Sequence, residues 1–280
     1  MSKIKTAALL GALTGLFLFI GGLAGGRAGM GIALVLAAIM NLVSYWFSDR
    51  IVLKAYRARR LEESEAPRVH AMVRELSQRA GLPMPALYLF DQDSPNAFAT
   101  GRDPGRAVIA LSRGIVSLMG EEELKGVIAH EMTHVASRDT LLQTVAATLA
   151  GAILFLAYQA RWFSVFAGSR DDDDRGGIFG LLALAIFAPL AASLIQMALS
   201  RTREYKADEG AAQLTGNPGG LAAALEKLSA YSRKLPLAAT RQTAHLFIVS
   251  PLSGKGLAAL FSTHPPIEER VARLRAMRLT

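Results

Sequence analysis

The sequence predicts an α-helical membrane protein with four transmembrane helices and an α+β domain gathered on one side of the membrane. Three observations predict it. Hydrophobic residues make up 51% of the 280 residues, which is high for a water-soluble chain. Four stretches carry essentially no charge and are each about 20 residues or longer, the length a helix needs to cross ~30 Å of hydrocarbon. The basic residues, which give a net charge of +8, cluster at the ends of those stretches.

The apolar stretches are 6–26, 28–48, 140–160 and 176–200. They divide the chain into a transmembrane hairpin (1–48), a polar segment (49–139), a second transmembrane hairpin (140–200) and a second polar segment (201–280). The first stretch could be a signal peptide, because Lys3 and Lys5 precede an apolar run ending in small residues. Its apolar part is longer than a signal core, and another apolar run follows at once, so an uncleaved hairpin is expected. Arg50, Lys54, Arg57, Arg59 and Arg60 follow span two, Arg138 precedes span three, and Arg201, Arg203 and Lys206 follow span four. The other two loops hold Arg27 in one, and Arg161, Arg170 and Arg175 beside Asp171 to Asp174 in the other. By the positive-inside rule both termini and both polar segments are cytoplasmic. The charge excess is therefore a topological and lipid-headgroup signal, and no nucleic-acid recognition motif accompanies it. Within the spans Asn41, Gln143 and Gln196 suit interhelical hydrogen bonds, and no charged relay marks a transport path.

Two spans separate the polar segments, so both emerge on the same face and can fold together. In the first, 65–80 has helical periodicity, with a stop signal at Gly81 and Pro83. Residues 86–90, 96–100 and 107–111 are short runs of strand type, and GRDPG at 101–105 reads as a hairpin turn. In the second, a helix over 203–214 is broken by NPGG at 217–220, another covers 221–234, and Pro265 and Pro266 open a final helix. Ile267, Val271 and Leu274 form its apolar stripe, with acidic residues in the first turn and arginines in the last.

From Glu121 to Arg138 no proline interrupts a helical pattern that contains AHEMTHVA, 129–136. His130 and His134 stand one turn apart on one face, with Glu131 about 100° round from His130. Two imidazoles so placed can converge on one zinc ion, while the offset glutamate reaches a water without ligating the metal. The chain has no cysteine, so the remaining ligand must be His, Asp or Glu. A third histidine six residues on is ruled out, because that position is Thr140. The best candidate is Glu204 in SRTREYKADEG, 200–210, with Asp208 four residues later on the same face. Glu204 can ligate, while Asp208 accepts the proton of a metal-bound imidazole and fixes its tautomer. Glu209, Glu226, Glu268 and Glu269 are rivals, but none combines a carboxylate partner one turn on with a place one hairpin away.

HEMTH, the SRxREYxAD stretch, PNAFATG at 95–101 and THPPIEER at 263–270 together resemble the HtpX heat-shock proteases, the bacterial branch of the Ste24-like (M48) zinc metallopeptidases. The resemblance spans nearly the whole chain and implies a zincin-type metalloprotease domain built from the two polar segments. It implies that Asn96 and Ala97 lie on an edge strand beside the metal, where an extended peptide adds as another strand. It implies that His264 looks towards the metal, where it could stabilise the oxyanion or gate the site; read alone, His264 is equally a cap or packing residue. His70 and His245 have no motif around them and suit surface or packing roles.

The expected activity is zinc-dependent endopeptidase action, with one zinc ion per chain and Glu131 as general base. By resemblance, the partners are misfolded or damaged membrane proteins and unfolded proteins, cut at the cytoplasmic face of the bacterial inner membrane under stress. Two other readings use the same residues: a prenyl-peptide processing peptidase of the same chemistry, and a non-catalytic membrane scaffold or chaperone holding zinc structurally.

Overall fold

The computed structural model describes residues 2–146, 149, 201–234 and 265–278; most of the predicted span 140–160, all of 176–200, and His245 and His264 lie outside them. Helix α1, Ser2–Ala55, carries both apolar stretches of the first hairpin. Helical hydrogen bonding runs through it, but Gly26 sits at φ 55°, a left-handed conformation that glycine adopts without a Cβ penalty. There the chain folds back, and the Asn41 side-chain amide donates to the Leu10 carbonyl at 3.3 Å and to Thr14 Oγ1 at 2.9 Å. Gly26–Ala55 is long and apolar enough to cross a membrane, and Thr6–Phe19 is a shorter apolar helix. The start of the predicted third span returns to this hairpin: Leu141, Leu142, Val145 and Leu149 pack with Leu9 and Leu13.

The polar part contains a four-stranded sheet of β1 (Arg59–Arg60), β2 (Ala86–Phe90), β3 (Ala97–Thr100) and β4 (Val108–Ser112), in the order β1-β2-β4-β3. β2 and β4 run parallel, with Ala86 opposite Val108; β3 runs antiparallel to β4, with Ala97 opposite Leu111. β1 was not legible in the sequence, since two arginines carry no strand signal. The expected turn at 101–105 includes the start of a single 3-10 turn, Pro104–Arg106.

Side chains alternate across the sheet, and both faces are covered. Leu87, Ala97, Ala99, Ile109 and Leu111 join the main core. Phe90, Phe98, Val108 and Ala110 pack instead against Val52 and Leu53 at the end of α1, with the Tyr56 ring 5.0 Å from that of Phe98. The sheet therefore joins the hairpin to the domain. Thr140 Oγ1 donates to the Gly101 carbonyl at 3.0 Å, and the Thr100 and Thr144 hydroxyls lie 3.1 Å apart, so the end of β3 is also tied to the first residues of the predicted third span.

Around the sheet stand α2 (Pro67–Ala80), α3 (Arg113–Leu118), α4 (Glu121–Ala136), α5 (Arg201–Thr215), α6 (Pro218–Lys234) and α7 (Ile267–Ala276). α4 is the central helix. Glu121, Glu122 and Glu123 occupy its first turn, where carboxylates favour the helix dipole, and Glu123 accepts the Gly120 N–H at 2.7 Å. Val127, Ile128 and Met132 are fully buried, each contributing about 1.5–3 kcal/mol by leaving water. A Cβ at Gly126 would lie 2.7 Å from the Leu221 backbone nitrogen, so the bare glycine lets α6 approach α4 closely.

Candidate metal centre

α4 presents His130 and His134 inward with their rings perpendicular and their centroids 4.9 Å apart. α5 crosses α4 and brings Glu204 to both. Glu204 Oε2 lies 3.7 Å from His130 Nε2, and Glu204 Oε1 lies 3.5 Å from His134 Nε2. Ligand atoms of the three residues lie within 4.8 Å of one another, although the residues come from segments separated by the predicted second hairpin.

Asp208, one turn beyond Glu204, lies behind His130, with Oδ1 3.0 Å from His130 Nδ1. At that distance Asp208 is placed to accept a proton from Nδ1, the tautomer that would leave the Nε2 lone pair for a metal shared with Glu204 and His134. All four side chains are buried. Burial alone would lower the pKa of His130, but the Asp208 carboxylate outweighs it and raises that pKa above the ordinary value.

Arg270 of α7 was not singled out by sequence reasoning. It is 0% exposed and grips Asp208 with two hydrogen bonds, Nε to Oδ2 at 2.8 Å and Nη2 to Oδ1 at 2.7 Å. Its third nitrogen, Nη1, lies 3.7 Å from Glu204 Oε2. Burial pushes the Asp208 carboxyl up, but the guanidinium more than reverses this and holds it below the usual carboxylate range. Arg270 itself, pulled down by burial, is raised further by Asp208 and Glu204, so it stays a cation. The signal was present in the sequence: Arg270 interrupts the stripe Ile267, Val271, Leu274 at a position that helical geometry turns inward.

Glu131 is buried beside the two imidazoles, and its Oε2 accepts the backbone N–H of Ala99 at 2.8 Å. The Ser112 N–H donates to the Asn96 carbonyl at 2.8 Å, so Asn96, Phe98 and Thr100 bond inward to β4 while the backbone groups of Ala97 and Ala99 point off the sheet edge. Asn96 is held at its N–H by Ser112 Oγ at 2.8 Å. Its side chain is 1% exposed, yet neither amide atom has a hydrogen-bond partner among the described residues. A buried amide normally has a partner, so this one is equipped to meet an incoming polar group.

The rival carboxylates lie elsewhere. Glu226 pairs with Arg275 at 2.7 Å and Glu269 with Arg273 at 3.0 Å, while Glu209 and Glu268 are exposed. His70 packs in α2, with Nδ1 3.2 Å from the Ala66 carbonyl.

Two imidazole nitrogens and one carboxylate oxygen, buried and convergent, are the donor set of a catalytic zinc site with one position left open. The residues present therefore fit such an ion. The sequence profile of peptidase family M48 matches residues 63–278. A curated relative described as a protease HtpX homolog, from Desulforapulum autotrophicum, is 55% identical over 276 residues, covering 98% of this chain and 89% of the relative. Another so described, from Paraburkholderia phytofirmans, is 52% identical over 282 residues, covering 99% and 97%. The crystal structure of S. mikatae Ste24p superposes with a TM-score of 0.53 at 20% identity, covering 97% of this chain and 65% of that one, which is a likeness of fold. With its profile match and its full-length relatives, the chain belongs to peptidase family M48 and is a metalloprotease.

Proposed function

We propose that the chain is a membrane-integrated, zinc-dependent endopeptidase that hydrolyses peptide bonds of misfolded or damaged membrane proteins on the cytoplasmic side of the bacterial inner membrane. The observation that carries the chemistry is the convergence of His130, His134 and Glu204 within 4.8 Å, with Glu131 alongside and a sheet edge next to it. The orientation rests on the basic residues flanking the four apolar stretches.

His130, His134 and Glu204 would hold one zinc ion per chain. Zinc held there supplies Lewis acidity, which lowers the pKa of a water it activates to about 7 and polarises a carbonyl. Asp208 keeps the His130 ring in the tautomer that offers Nε2. Glu131, oriented by the Ala99 N–H, accepts a proton as water attacks the scissile carbonyl carbon and returns it to the leaving amine. The outward backbone groups of Ala97 receive the substrate as an added strand, and the Asn96 amide bonds its backbone. His264 is assigned the oxyanion as it develops.

Glu131→Gln keeps the shape of the side chain and removes its basicity. In detergent the variant retains its zinc and loses cleavage of an unfolded substrate such as casein by at least ~100-fold. A zinc-loaded Glu131→Gln chain that still cuts casein at the native rate would remove Glu131 from the mechanism.

A further inference from the structure

We infer that Arg270 is a positioning residue that preforms the metal centre, so that the helix nearest the C-terminus, α7, is part of the site. The inference rests on the zinc-peptidase reading above.

Glu204, Asp208 and Glu131 bring three carboxylates into one buried volume, next to two imidazoles. Without a compensating cation such a cluster is expelled from the interior or neutralised by protons. Arg270 supplies that cation from a separate helix. Its planar fork takes both oxygens of Asp208, and a bidentate grip fixes the carboxylate plane as well as its position. One of those oxygens is the atom that faces His130 Nδ1. The remaining guanidinium nitrogen approaches Glu204 Oε2, the oxygen nearest His130 Nε2. One side chain therefore orients a ligand, Glu204, and the residue that orients another ligand, His130. Leu274 and Val271, buried in the core on the same helix, hold the guanidinium in register with α5. The ligand atoms are then in place before any metal arrives.

Removing the positive charge would by itself favour a bound cation, whereas losing the fork would disorder the ligands. Arg270→Lys separates the two, because it keeps the charge and abolishes the bidentate geometry. Zinc affinity is measured by competition with a chromophoric chelator on the full chain in detergent, with folding checked by far-ultraviolet circular dichroism. Arg270→Lys should bind zinc about 10–100-fold more weakly, the range for partners that orient metal ligands. Arg275→Lys, the same change at an exposed arginine of α7 that pairs with Glu226 and not with Asp208 or Glu204, should stay within about threefold of the native affinity. Native affinity in Arg270→Lys, or an equal loss in Arg275→Lys, overturns the inference. A native chain that binds no zinc overturns the functional reading instead.

A measurement on the native chain covers the case in which the lysine variant does not fold. Amide hydrogen exchange across 267–276 in chelator-stripped protein should be as slow as in the zinc-loaded protein. Exchange at the rate of an open segment would show that the metal organises α7, and would overturn the inference.

Discussion

The hairpin of α1 and the domain beneath it invert each other. In α1 large apolar side chains face outward: Leu36 is 53% exposed and Leu42 61%. In the domain charged side chains face inward, with Glu204 1%, Asp208 2% and Arg270 0% exposed. In water each arrangement costs free energy. The hairpin is stable where its surroundings are lipid. The buried charges are stable because each meets an opposite charge at hydrogen-bonding or near-contact distance, and because the cluster is shaped to receive a cation. The contrast also separates two uses of polarity: Asn41 holds two helices together, whereas the Asp208–Arg270 pair holds a reactive geometry.

Breaking the inward charges should have the largest effect. Asp208→Ala removes the carboxylate that accepts two hydrogen bonds from Arg270 and leaves a guanidinium buried with less compensation, for a cost of about 3–5 kcal/mol. Denaturant unfolding in detergent measures it, and a loss below about 1 kcal/mol would place the pair among weak surface contacts. The outward apolar face comes next. Leu36→Lys, near the middle of the predicted span 28–48, should raise the free energy of insertion by about 2.5–3.5 kcal/mol, read as a lower inserted fraction in membrane vesicles. Unchanged insertion would mean that this face does not meet lipid.

The smallest effect belongs to charge pairs that are neither buried nor catalytic. Lys125 holds Glu75 at 2.9 Å between α2 and α4, and the hydrogen bond from Lys125 keeps the Glu75 carboxyl below its ordinary pKa. A carboxyl lowered on folding contributes stability above its unfolded pKa and loses it as pH falls through the folded one. Lys125→Met should therefore cost about 0.2–1 kcal/mol near neutrality and nothing once Glu75 is protonated, as thermal unfolding at both pH values would show.

Legibility in the sequence followed the same division. Apolar length gave the hairpin, and its turn at Gly26 falls at the end of the first predicted span. The HEMTH helix, the α2 stop at Gly81 and the three strand runs could be read because local periodicity and turn residues determine them. Helix α3 and strand β1 could not, because a six-residue helix and a two-residue strand depend on the neighbours they pack with. At the site, Glu204 and Asp208 were readable as an i,i+4 pair. Arg270 was passed over as one arginine among several on α7, although it lies on that helix's buried stripe and Asp208 lies on that of α5. A charge on an apolar stripe asks for an opposite charge on a neighbouring stripe, and pairing the two in the sequence would have found the contact.

Metal content in Glu204→Ala tests the central claim most directly. With zinc measured per chain in purified native protein, Glu204→Ala and the rival Glu226→Ala, the account predicts one equivalent in the native and Glu226→Ala chains. It predicts that Glu204→Ala, correctly folded, loses the metal and its hydrolytic activity together. A Glu204→Ala chain that keeps a full equivalent of zinc would contradict the assignment of the third ligand and the catalytic centre built on it.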